Sequence, residues 1–189
     1  MKLNLANILT LMRIAAIPVV VVCFYSSIPH ARPIAAAIFG FAALTDLIDG
    51  WVARRLHQTS RFGEFLDPVA DKLMVVIVLV MLVQAESTLW EDIIAMIIIG
   101  REITVSALRE WMATIGERGN VRVHLSGKIK TTLQMFGIGF MVWQESFLGI
   151  PIYEVGYLML IGAAVMTIYS MFVYLKAAWP SMSRELDVD

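Results

Sequence analysis

Six apolar stretches, each close to the length of a bilayer crossing, dominate the chain. They run at about Ile8–Tyr25, Ile34–Ala53, Phe65–Val83, Ile93–Met112, Ile129–Trp143 and Val155–Ala177. A spanning helix needs roughly 20 mostly apolar residues, and it must satisfy its own backbone polar groups because lipid cannot. The pattern predicts an all-α, polytopic membrane protein with six transmembrane helices. Composition agrees, with 59% of residues hydrophobic and 16% charged, against about 25% charged in a soluble domain. Too little chain remains between the stretches for a soluble domain, so residues 1–189 read as a single membrane domain.

Charge placement sets the expected orientation. With the N-terminus inside, the inner side receives Lys2, Arg54, Arg55, Arg61, Arg109, Arg118, Arg122, Lys128, Lys130, Lys176 and Arg184. The outer connections receive Arg32 with Glu86, Glu91, Asp92, Glu145 and Glu154. Basic residues accumulate on the cytoplasmic side of membrane proteins, so both termini are expected there. Lys2 ahead of an apolar run could suggest a signal peptide. No small-x-small cleavage site follows, so the run reads as an uncleaved first span. The net charge of −1 gives no reason to expect a nucleic-acid partner. Cys23 is the only cysteine, which excludes an intramolecular disulfide and leaves a small buried hydrophobe as its expected role.

The stretch "TDLIDGWVARRLHQTSRFGEFLDPVADK", residues 45–72, breaks this apolar character. Asp46 and Asp49 are three apart and Asp67 and Asp71 four apart, so each pair shares a helix face. A short connection joins the two helices, which makes them antiparallel neighbours and lets all four carboxylates converge near the inner surface. Each aspartate at a helix centre costs about 2.5–3.5 kcal/mol on insertion scales, less toward the ends. Lys72 and Arg54 are too few to neutralise the group. An all-carboxylate set suits hard divalent ions such as Mg²⁺ or Mn²⁺, and two such ions match four aspartates. Gly50, and Gly63 one turn before Asp67, let a ligand lie against the backbone; close helix packing would explain them equally well.

The fixed positions of this stretch are Asp46, Asp49, Gly50, Ala53, Arg54, Gly63, Asp67 and Asp71. All of them match the signature of the CDP-alcohol phosphotransferase family, which the chain resembles. Chance agreement at a given start is on the order of 10⁻⁹ at average residue usage. The resemblance implies six helices and transfer of a phosphatidyl group from a CDP-linked lipid to an alcohol, with release of CMP. It also implies that the four aspartates hold two divalent ions at the diphosphate, that Asp71 is the general base, and that Gly50, Ala53, Arg54 and Gly63 surround the nucleotide. A bacterial inner membrane, an active site facing the cytoplasm and a homodimer are implied too. Ala36 and Gly40 offer a small-xxx-small face for such a dimer.

The acceptor is read from the later charges. Arg101 and Glu102 lie inside the fourth stretch, Arg109 two turns on, and Lys128 and Lys130 open the fifth. Cations beside a tetra-aspartate site suggest an acceptor that carries a phosphate, with Arg109, Lys128 and Lys130 as its contacts. The blocks "NILTLMR", "REITVSALREW" and "GKIKT" extend the resemblance over nearly the whole chain, to the branch of the family that accepts sn-glycerol 3-phosphate from CDP-diacylglycerol. Asn7, Thr10 and Arg13 form a polar stripe in the first block. The resemblance places the stripe near the nucleotide-lipid site, while its bland reading is a helix entry capped by Asn7. Other readings remain open from the residues: inositol phosphate or serine as acceptor, a membrane prenyltransferase, or a divalent-cation transporter.

Overall fold

The structure is a computed structural model that describes residues 5–56, 61–86, 88–116 and 125–186. Within these residues the chain is all-helical: α1 Leu5–Tyr25, α2 Ala31–Leu56, α3 Arg61–Glu86, α4 Leu89–Thr114, α5 Leu125–Trp143 and α6 Ile152–Leu186. The helices contain the six expected stretches and outrun them, because hydrogen bonding along a helix does not stop where apolar residues do. α6 gains most, continuing past Ala177 and through Pro180 to Leu186.

Two stretches, Asn7–Tyr25 in α1 and Ile152–Pro180 in α6, are long and apolar enough to cross a membrane, and α2 adds a shorter apolar run, Ala31–Thr45. In α3, α4 and α5 the charges at Asp67, Asp71, Lys72, Arg101, Glu102, Lys128 and Lys130 interrupt the apolar sequence. Large exposed side chains on many helices are nonetheless apolar, among them Val22, Phe41, Phe65, Ile103, Val165 and Phe172. Apolar side chains exposed in such number mark contact with lipid or protein.

The helices group into two compact units. The first combines residues 1–87 with 135–158, and the second combines 88–134 with 159–189. In the first unit α1 packs against α2 and α3. Ile17, Val20 and Phe24 of α1, Ala35, Phe39 and Ala42 of α2, and Met74, Val78 and Leu82 of α3 are buried there. Their spacing of three or four residues puts each set on one helix face. Ala36 is buried in this unit, while Gly40 faces open space, so the two do not form one exposed face. Cys23 is half-buried rather than buried.

α5 returns into α6 through a tight turn in which Phe147 and Ile150 exchange backbone hydrogen bonds of 3.1 and 2.9 Å. Leu148 (φ 51°) and Gly149 (φ 79°) both take left-handed backbone, as a type I′ turn requires. Beyond the turn, a Cβ added to Gly156 would lie 2.8 Å from the Gly137 carbonyl oxygen and 2.9 Å from the Met141 nitrogen. Only a residue without a side chain permits that approach.

The second unit is built on α4, the start of α5 and most of α6. Thr88 caps α4 by accepting from the Glu91 N–H at 3.4 Å and donating to its carboxylate at 2.6 Å, a threonine–glutamate pair at capping-box spacing. Past the Ile115 cap of α4 stands Gly116 (φ 80°), whose N–H reaches the Ala113 carbonyl; glycine tolerates this left-handed exit. Val105, Leu108 and Met112 of α4 pack on Tyr174 and Ala178 of α6.

Candidate active site

Asn7, Thr10 and Arg13 are spaced by three along α1, and all are buried. Polar groups taken out of water need partners, or they cost stability. α3 supplies them. The Thr10 hydroxyl donates to Asp67 Oδ1, and the Arg13 guanidinium donates to Asp71 Oδ1 in an ion pair. The partners stand one turn apart on both helices. Further along, the Tyr25 hydroxyl donates to Gln84 Oε1 at 2.8 Å. These contacts climb both helices in the same order, so α1 and α3 run parallel.

Asn7 lies within α1 rather than before it, which removes the capping role and makes it part of the buried stripe. Exposure across the ion pair is unequal. The Arg13 side chain is 2% exposed and that of Asp71 38%, so the guanidinium is buried while the carboxylate stays accessible. Gly63, also buried, stands one turn before Asp67 in the first turns of α3. Pro68 offers no N–H to the carbonyl four residues earlier, yet α3 passes through it unbroken.

The backbone of α2 carries Asp46, Asp49, Gly50, Ala53 and Arg54 to its last turns. Their side chains, and that of Lys128, lie outside the described residues. Among the described side chains no three His, Cys, Asp or Glu form a metal-binding group. Asp67 and Asp71 are hard oxygen donors on one helix face, the donor type a divalent ion requires, and Thr10 and Arg13 fix their direction.

The later cations gather in the second unit. Lys130, only 3% exposed, donates to Glu102 Oε1 at 2.8 Å, and the same oxygen accepts from Arg101 at 3.0 Å. Arg101 also donates to the Ser170 hydroxyl at 3.2 Å. Arg109 is exposed and donates to the Tyr174 hydroxyl at 2.7 Å. Reading the sequence for cations missed Glu102, Ser170 and Tyr174 as their holders. A signal was present: Thr167, Ser170 and Tyr174 repeat at intervals of three and four in an apolar helix, as the α1 stripe does.

A family model described as CDP-alcohol phosphatidyltransferase matches residues 3–173. The chain belongs to that family. Proteins of the family generally use divalent metal ions. The chain is 46% identical to a protein of Yersinia enterocolitica over 96% of its own length and 98% of that protein's. It is 47% identical to one of Pectobacterium atrosepticum, over 94% and 96%, and 45% identical to one of Haemophilus influenzae, over 96% and 97%. Each of these relatives is named CDP-diacylglycerol–glycerol-3-phosphate 3-phosphatidyltransferase.

Proposed function

We propose that this chain transfers the phosphatidyl group of CDP-diacylglycerol to sn-glycerol 3-phosphate, giving phosphatidylglycerophosphate and CMP. The name shared by relatives that match it from end to end carries this reading. The pairing of the α1 stripe with Asp67 and Asp71 supports it. The protein would work as a homodimer in a bacterial inner membrane, with six spans and both termini cytoplasmic, its site open to the soluble acceptor.

Asp71 accepts the proton of the acceptor hydroxyl as its oxygen attacks the β-phosphorus. The bond from that phosphorus to the bridging oxygen breaks, and CMP leaves with the electron pair. Two divalent ions, Mg²⁺ or Mn²⁺, held by Asp46, Asp49, Asp67 and Asp71, would neutralise the diphosphate and stabilise the departing CMP. Thr10 orients Asp67, and Arg13 orients Asp71 from its buried position. Asn7, Gly50, Ala53, Arg54 and Gly63 surround the nucleotide. Arg109, Lys128 and Lys130 hold the acceptor's phosphate, arginine as a fork and lysine as a point charge.

A side-by-side transfer assay tests the reading, offering the purified protein CDP-diacylglycerol with glycerol 3-phosphate, inositol phosphate or serine. Product is expected with glycerol 3-phosphate. Transfer to either alternative in its place would reject the acceptor assigned here.

A further inference from the structure

Arg109 differs from the other cations of the second unit in what it touches. Arg101 and Lys130 share the Glu102 carboxylate. Arg109, among the described residues, has no carboxylate within ion-pair distance, and its hydrogen-bond partner is a phenol. Its guanidinium carbon lies 5.1 Å from the centre of the same Tyr174 ring, so ring face and hydroxyl hold one group together. A phenol leaves the positive charge in place, and a guanidinium has five N–H donors to share. Bound this way, the fork keeps its charge and most of its donors for an incoming anion.

Tyr174 is suited to be a fixed point. It is 9% exposed and packed among Val105, Leu108, Met112 and Ala178. Arg101, two turns before Arg109 on α4, has its guanidinium carbon 5.8 Å from the same ring, and its hydrogen bond to Ser170 lies one turn before Tyr174 on α6. The α6 face of Ser170 and Tyr174 thus carries both α4 arginines. A long exposed side chain otherwise samples many rotamers, and ordering it on binding weakens affinity.

Resting on the reading of Arg109 as a phosphate contact, the geometry points to Tyr174 as the positioning residue that presents Arg109 to the phosphate of the acceptor.

Tyr174→Phe keeps the ring and its packing and removes the hydroxyl. Kinetics in detergent with CDP-diacylglycerol and glycerol 3-phosphate should show the KM for glycerol 3-phosphate raised about fivefold to tenfold, less than the full worth of a hydrogen bond to a charged group because the ring face still holds the guanidinium. The kcat, the KM for CDP-diacylglycerol and the melting temperature should stay at wild-type values. In an Arg109→Lys background, Tyr174→Phe should add little, because lysine has no fork to orient. Tyr169→Phe, an exposed tyrosine of the same helix, should change nothing. A lowered melting temperature or kcat with unchanged acceptor KM would make Tyr174 a packing residue and overturn the proposal, as would no change at all. If the wild-type protein uses inositol phosphate instead, only the acceptor assignment falls, and the same KM shift is read on that acceptor. Transfer to serine alone would overturn both.

Discussion

The two charged regions solve opposite problems. Between α1 and α3, each described aspartate of the signature has a partner of its own: Thr10 for Asp67 and Arg13 for Asp71. In the second unit, Arg101 and Lys130 share one glutamate, and Arg109 is given a phenol. The first arrangement fixes the direction of acidic oxygens while leaving Asp71 accessible. The second holds two cations on one carboxylate and a third on a neutral phenol, so net positive charge remains. In a greasy chain neither is inexpensive to maintain, since a buried charge needs compensation. The guests proposed above follow that difference: a cation-bridged diphosphate at the aspartates, a phosphate at the later cations.

The largest test of that contrast is Asp71→Asn. Loss of a positioned base should lower kcat by about 10²–10⁴-fold, with CDP-lipid binding retained in an equilibrium assay; retained turnover would take the base role from Asp71. Lys130→Ala comes next. It should raise the acceptor KM by about tenfold to a hundredfold, as for a lost charge-assisted hydrogen bond, with the KM for CDP-lipid little changed. Equal effects on both KM values would erase the distinction between the regions.

Thr10→Val removes the hydroxyl that orients Asp67 and keeps the shape of the side chain. The divalent-ion concentration for half-maximal activity should rise about tenfold, the usual cost of losing an outer-shell partner, while the acceptor KM stays constant. The smallest effect on chemistry belongs to Gly156→Ala, which should destabilise the protein by about 1–3 kcal/mol through overpacking. Thermal unfolding reads it, and an unshifted melting temperature would mean that the α5–α6 contact relaxes freely.

Much of the helical layout was legible because long apolar runs report directly on where helices form and pack. The aspartate spacing was legible for the same local reason, since three- and four-residue intervals define a helix face. Partners were not. Thr10 and Asp67 are separated by 57 residues and Arg109 and Tyr174 by 65, and no periodicity links such positions. The cap offered as the bland alternative for Asn7 was undecidable in sequence because a polar residue near a helix start looks alike whether it faces water or another helix. The α6 stripe was overlooked because serine, threonine and tyrosine do little to lower the hydropathy of their helix, whereas arginine and aspartate stand out.

The parallel run of α1 and α3 has a consequence for how the chain is made. Arg13 emerges from the ribosome 58 residues ahead of Asp71, so the first helix is complete before its counter-charge exists. An arginine at mid-membrane costs about 2.5–3.5 kcal/mol on insertion scales. Until synthesis reaches α3, that guanidinium must rest in water or against lipid headgroups, and its final seat is set by a segment translated later.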